Sequence, residues 1–176
     1  MQNAAVQRRR ETTEARLLPS EIPLCDLHNP TVLKGLSIWQ RQCGTKSMPS
    51  RSDLSPRILS GLLRNIALAR IIASGAYELR IIGDALVQAQ GHSYQGMNTE
   101  EIDLIMPGHG TVLAYIYDEV VWRRAPVALR GWYHRKADGR SLFHETVILP
   151  LSHDEKTIDH ILVFSAYALN IEESAL

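Results

Sequence analysis

Apolar and polar positions along the chain change their period several times, and each change predicts a different element. Residues 1–27 show no sustained period and carry Pro19 and Pro23; they are predicted as a flexible N-terminal segment with a short helical piece around Thr12–Leu18. Asn29-Pro30 is a helix start, because asparagine caps free amides and proline presets the first φ angle. Val32, Leu36, Trp39 and Cys43 then recur at helical spacing, with Leu33 beside them, and Gly44 ends the run. Residues 28–44 thus form one amphipathic helix, whose stripe meets either its own domain or a second copy of the chain.

After a Ser- and Pro-rich loop, Thr45–Asp53, the pair Ser55-Pro56 repeats the cap-and-proline signal for a short helix through about Leu63. Short and β-branched residues from Asn65 to Ala73, the turn Ser74-Gly75, and the alternation of Tyr77, Leu79 and Ile81 with Glu78 and Arg80 predict a β-hairpin. Between Gly83 and Pro107 the pattern is broken, with a capped short helix at Asn98-Thr99-Glu100-Glu101. Gly108-His109-Gly110 opens a longer helix with Val112, Ile116 and Val120 on one stripe and Leu113, Tyr117 and Val121 adjoining it; Ala125-Pro126 ends it. The last third has period two. Val127, Leu129 and Tyr133 face one way, and Arg130, His134 and Lys136 the other. Asp138-Gly139 is a hairpin turn, Ser141–Leu151 and Ile158–Leu169 are strands, and Ser152–Thr157 is the polar turn between them. The expected architecture is an α+β domain over 45–170 with one antiparallel sheet, then a tail over 171–176.

Composition narrows the class. A chain of 176 residues, 45% hydrophobic and 22% charged, suits one soluble domain with a core that needs no staples. Lys+Arg and Asp+Glu balance at 19 each, so no global field calls for nucleic acid or an anionic membrane. Cys25 and Cys43 are too few and too far apart for a disulfide scaffold or a zinc knuckle. The best apolar run, Ile161–Leu169, falls short of the roughly 18 residues of a membrane helix. Arg8, Arg9 and Arg10 are followed by Glu11, Thr12, Thr13 and Glu14 where an export signal needs an apolar stretch. A cytoplasmic protein is expected.

The chemical motifs fail one by one. His144-Glu145-Thr146-Val147-Ile148 has Ile148 where a zinc protease needs its second histidine. Gly91-His92-Ser93-Tyr94-Gln95 has Gln95 where a nucleophile elbow needs glycine, and Gly108-His109-Gly110 lacks the third glycine of a dinucleotide loop. His153, Asp154, Glu155, Asp159 and His160 concentrate potential metal ligands, but in a pattern that reads as a solvated turn, so no metal is expected. Arg123, Arg124, Arg130, Arg135, Lys136 and Arg140 make the surroundings of Trp122, Trp132 and Tyr133 locally basic, diluted by Asp118, Glu119 and Asp138. Nucleic acid is not the expected partner.

The order of elements and several stretches resemble a PAS domain: Tyr77-Glu78-Leu79-Arg80-Ile81-Ile82-Gly83, Gly91 and Gly96 leading to Glu101-Ile102, Arg123-Arg124-Ala125-Pro126-Val127, Leu149-Pro150-Leu151-Ser152-His153-Asp154, and the closing Ile158–Ser165. The likeness spans roughly Trp39 to Tyr167 and is similar to the short, stand-alone bacterial PAS proteins once classed as a domain of unknown function. It implies a five-stranded antiparallel sheet in the order 2-1-5-4-3 with helices over one face, enclosing a ligand pocket. It also implies a sensory or regulatory module that binds a small, mostly apolar ligand or a protein partner. With no kinase, cyclase or DNA-binding module in the sequence, the expected signalling runs in trans to a separate partner. Family members commonly dimerise through an N-terminal helix, which places Val32, Leu36, Trp39 and Cys43 at a homodimer interface.

The pocket implied by the resemblance takes Leu79 and Ile81 from the second strand, Ile105 and Val112 near the helices, and Val127 and Leu129 from the third strand. Ile148, Leu162 and Phe164 join from the last two. Flavin sensors of the family carry a reactive cysteine after the first helical segment, which this sequence lacks. The haem sensors use a histidine well inside the long helix, whereas His109 sits at its edge; neither cofactor is expected. No catalytic residue is expected either. The alternatives are a pure interaction adaptor without ligand, or a small α+β enzyme using His144-Glu145 or Asp159-His160 for proton transfer.

Overall fold

The computed structural model describes residues 19–135 and 138–169. In chain order the elements are β1 (Ser20–Ile22), α1 (Pro30–Cys43), β2 (Ile66–Ala73), β3 (Ala76–Ile82), α2 (Asp84–Gln90), α3 (Thr99–Ile105), α4 (His109–Arg123), β4 (Val127–His134), β5 (Ser141–Leu151) and β6 (His160–Leu169). All the strands form one antiparallel sheet in the order β1-β4-β5-β6-β2-β3. Leaving β1 aside, this is the expected five-strand order. The sixth strand is a correction: Ser20–Ile22 lie within the segment read as flexible, yet they pair with Ala128–Arg130 at the β4 edge. Gly131 permits that approach, since a Cβ there would lie 2.9 Å from Pro19 Cα. The helical piece expected around Thr12–Leu18 and the tail 171–176 lie outside the described residues.

The two faces of the sheet are covered differently. Alternation along β6 sends Leu162 and Phe164 to one face and Val163, Ser165 and Tyr167 to the other. Helix α1 packs on the first of these faces. Its start is as the sequence reads: the Asn29 side chain accepts from the Thr31 and Val32 amides, and Pro30 fills the first helical position. Gly35 lies so close to the sheet that a Cβ there would fall 2.4 Å from the Phe164 ring, and the Trp39 indole donates to the Pro150 carbonyl at 3.0 Å. Val32, Leu36 and Trp39 are therefore buried against their own sheet, and half-buried Cys43 packs beside them. The stripe expected to meet a second copy is used inside the molecule, which corrects that expectation.

Helices α2, α3 and α4 lie over the opposite face. The capping box at Asn98, with Glu101 reaching back to the Asn98 amide at 2.8 Å, starts α3. Gly110 lets α4 cross α3 closely, because a Cβ there would sit 1.8 Å from the Thr99 carbonyl oxygen. The segment 55–63 forms turns, with Ile58 and Leu59 amides bonded to the Ser55 carbonyl, in place of the short helix its cap signal suggested. Its apolar residues Leu59 and Leu62 are buried.

Candidate ligand cavity

A cavity of about 140 Å3 lies between the sheet and helices α2 and α4. Its floor is set by strand parity: Leu79 from β3, Leu129 and Tyr133 from β4, His144, Thr146 and Ile148 from β5, and Val163, Ser165 and Tyr167 from β6. The roof is Leu86 and Gln90 of α2, Tyr94, and His109, Val112, Leu113, Ile116 and Tyr117 of α4. Pro19, just before β1, also reaches the lining, so the N-terminal segment contributes to the cavity. None of these residues carries a formal charge when its histidines are neutral.

Four of the nine residues expected at the pocket line it: Leu79, Val112, Leu129 and Ile148. The other five lie elsewhere, for reasons of register. Ile81 pairs with Leu68 and lines a separate groove on the other face of the sheet with Leu162. Phe164 sits under α1. Ile105 ends α3 half in solvent, and Val127 lines a surface groove by Glu21 and Arg123. The residues the sequence reading missed are mostly polar or aromatic: Gln90, Tyr94, Tyr133, His144, Thr146, Ser165 and Tyr167. Parity contained part of the signal, since Tyr133 alternates in phase with Leu129, and His144 and Thr146 with Ile148.

The polar wall is largely satisfied within the chain. Thr146 and Ser165 hydroxyls share a 2.6 Å bond, and His144 Nδ1 lies 3.0 Å from the Thr146 hydroxyl. Gln90 Nε2 donates to the Tyr167 hydroxyl at 3.3 Å, Tyr133 donates to the Gln90 carbonyl at 3.4 Å, and Tyr94 donates to Met106 Sδ at 3.2 Å. Burial pushes the Tyr94, Tyr117, Tyr133 and Tyr167 phenols up, so all keep their protons. Burial holds the His144 imidazole down at about 4. His109 is also lowered to about 4 by burial, against the opposing pull of Asp103. The His109 ring stands 5.3 Å from that of Tyr94 and 6.1 Å from that of Tyr133. Its Nε2 is buried and has no hydrogen-bond partner.

A flavin or a haem does not fit this space: about 140 Å3 is well below the roughly 300 Å3 at which pockets for drug-sized ligands begin. Neither Cys25 nor Cys43 lines the cavity. The proton-transfer pairs are also separated. His144 faces the cavity, whereas Glu145 points to the opposite face. There it accepts from the His28 and Asn29 amides at 2.8 and 2.6 Å and pairs with Arg130 at 2.8 Å. Asp159 bridges His153 and His160 at 2.6 Å each, and none of the three lines the cavity. Asp154 is occupied by the Lys156 and Thr157 amides and the Ser152 hydroxyl. No group of three or more metal-ligating side chains exists among the described residues.

The basic region is largely neutralised. Arg123 pairs with Glu21 and Glu119, Arg130 with Glu145, and Arg135 and Arg140 with Asp138, while Arg124 donates to the Glu155 and Lys156 carbonyls. Lys136 lies outside the described residues. No described helix is long and apolar enough to cross a membrane.

No curated protein matches the chain in sequence. Among solved structures it is similar to the PAS domain of Bordetella pertussis BvgS, at 14% identity and a TM-score of 0.49 over 67% of this chain and 86% of that one. It is similar to the PAS domain of the fruit-fly ELK potassium channel, at 14% identity and 0.46 over 64% and 92%. A LOV domain from a blue-light activated histidine kinase of Erythrobacter litoralis matches at 18% identity and 0.43 over 60% and 95%. A family model described as PAS domain matches residues 27–164. That match takes in α1, the sheet from β2 into the first half of β6 and the whole cavity roof, well over half of the chain, and the protein belongs to the PAS domain family.

Proposed function

We propose that this PAS unit is a sensory or regulatory module that holds a small molecule between its sheet and helices α2 and α4. The observation that carries the reading is the cavity of about 140 Å3 with its uncharged wall. An apolar cavity of comparable size, about 150 Å3, can take a benzene-sized molecule, so the space suits a ligand of that scale. The short helix α2, which gives Leu86 and Gln90 to the wall, is the means of response. It has only two turns, so a ligand that fills the space beneath it shifts its packing at low cost. Homodimerisation and a cytoplasmic setting belong to the same proposal, with any dimer contact made outside the buried stripe of α1.

Native mass spectrometry of the protein as purified, with the denatured mass as control, tests both points. A mass excess that vanishes on denaturation supports the ligand, and Val163→Phe, which fills the cavity, should remove that excess while leaving the circular dichroism spectrum intact. A bare protein under all expression conditions would overturn the ligand reading.

A second reading is an adaptor without ligand, favoured by apolar side chains held in solvent on α3 and α4. Leu104 is 85% exposed and Trp122 79% exposed. Copurification of a stoichiometric protein partner, lost in Leu104→Ser/Trp122→Ser, is its expected signature.

A further inference from the structure

Within the cavity one atom stands apart. Every other buried side-chain nitrogen or oxygen among the described residues has a partner, and His109 Nε2 has none. Leaving a buried polar atom unpaired costs on the order of 1–3 kcal/mol, so such an atom calls for a physical reason. Its neighbours cannot supply one. Tyr94 and Tyr133, the two rings beside it, donate their hydroxyl protons to Met106 and to the Gln90 carbonyl. Elsewhere on the wall the Thr146 hydroxyl bonds those of Ser165 and the His144 ring, and Gln90 bonds Tyr167.

We propose that the cavity is built for an uncharged, single-ring molecule carrying one hydroxyl or carboxamide group, which bonds His109 Nε2 while the ring lies against the apolar wall. This assignment rests on the ligand-binding reading above and adds the chemistry of the ligand to it. Three features fix the class. The volume admits a ring of benzene size and little more. A lining without Asp, Glu, Lys or Arg offers no counter-charge, so an ionised ligand would pay its desolvation uncompensated. His109 Nε2, a buried nitrogen of this wall without a partner, favours a ligand that brings one polar group to it. A hydroxyl or a carboxamide both donates and accepts, so it meets either tautomer of the imidazole.

Phenol, toluene and benzoate test this on the full chain. They have similar ring size and differ in carrying a neutral polar group, no polar group, or a charge. Calorimetric titration should show phenol binding about tenfold more tightly than toluene, and no binding of benzoate at neutral pH. In 15N-labelled protein, phenol should shift the His109 Nε2 resonance and leave the His153 ring unmoved. His109→Leu should bring phenol affinity down to that of toluene without weakening toluene, and His109→Gln should restore part of the preference. The nitrogen resonance of the wild-type chain keeps the test decisive if His109→Leu fails to fold. Equal binding of toluene and phenol, or a preference that survives His109→Leu, overturns the His109 anchor while leaving a ligand-binding cavity in place. Failure of all three probes at millimolar concentration overturns the anchor and the single-ring class. The mass measurement on the purified protein then decides the ligand reading separately.

Discussion

Glu145 shows how much of this fold rests on one side chain. It sits in β5 with its carboxylate on the α1 face, where one oxygen accepts two backbone amides, those of His28 and Asn29, and the other takes Arg130. Burial alone would raise its pKa, but those donors outweigh it and hold the carboxylate low. Arg130 also donates to the Asp26 carbonyl, so the pair fastens the chain entering α1 to the sheet. Glu145→Ala strips the acceptor from all these groups at once. A loss of roughly 3 kcal/mol or more is expected, read from urea denaturation. Gly35 is the second such residue. Gly35→Ala drives a methyl into the Phe164 ring and should cost about 1–3 kcal/mol, whereas Ala is the better helix former at an exposed site. Neither role shows in the sequence. Glu145 read as half of a catalytic pair with His144, and nothing in the sequence singles out Gly35, because both depend on partners more than 100 residues away.

At the scale of elements, α1 separates what pattern determines from what packing determines. Its limits, its cap and its apolar stripe follow from Asn29-Pro30, the spacing of Val32, Leu36 and Trp39, and Gly44. What that stripe covers does not, since a sheet face and a second helix accept the same side chains. Leu36→Asp, which on the dimer reading breaks assembly and spares the fold, is expected here to unfold the domain. It buries an unpaired charge beneath the sheet, and a fall in the thermal midpoint at constant protein concentration measures it. Asn29→Ala should cost about 1 kcal/mol in the same assay. The hairpins were legible for a different reason: Ser74-Gly75 and Asp138-Gly139 allow few alternatives to a tight turn between alternating strands. Strand β1 was not legible, because three residues beside two prolines carry too short a pattern and take strand form only where the β4 edge pairs with them.

For the whole molecule, the two cavity histidines set a pH dependence. His109 and His144 ionise near 6.5 when unfolded and at about 4 when folded, so between those values the unfolded chain binds more protons. Stability is therefore full above about pH 6.5 and falls as pH drops toward 4. Thermal melts from pH 7.5 to 4.5 should show a steady decline, flattened in His109→Phe/His144→Phe. A ligand that bonds neutral His109 would hold its protonation lower still, so the decline would start at the same pH and continue further into acid. The carboxylates held low, Glu145 and Asp159 among them, add their own loss only at the acid end of this range.

The sequence by itself determined α1, α3, α4 and the five strands β2–β6, their antiparallel sheet and, through resemblance, the strand order and the family. Local rules of capping, turn chemistry and alternation act over a few residues and survive without knowledge of neighbours. Tertiary structure alone decided which strand face each residue joins across the sheet. Leu162 and Phe164 were expected in the cavity and lie on the α1 face, while Val163, Ser165 and Tyr167 take their place. A one-residue change of register exchanges the two faces of a strand, and with both faces of β6 apolar the pattern cannot choose between them. Tertiary structure also decided that α1 covers its own sheet and that one buried imidazole nitrogen beside the cavity has no partner, for both depend on which side chains arrive from distant parts of the chain.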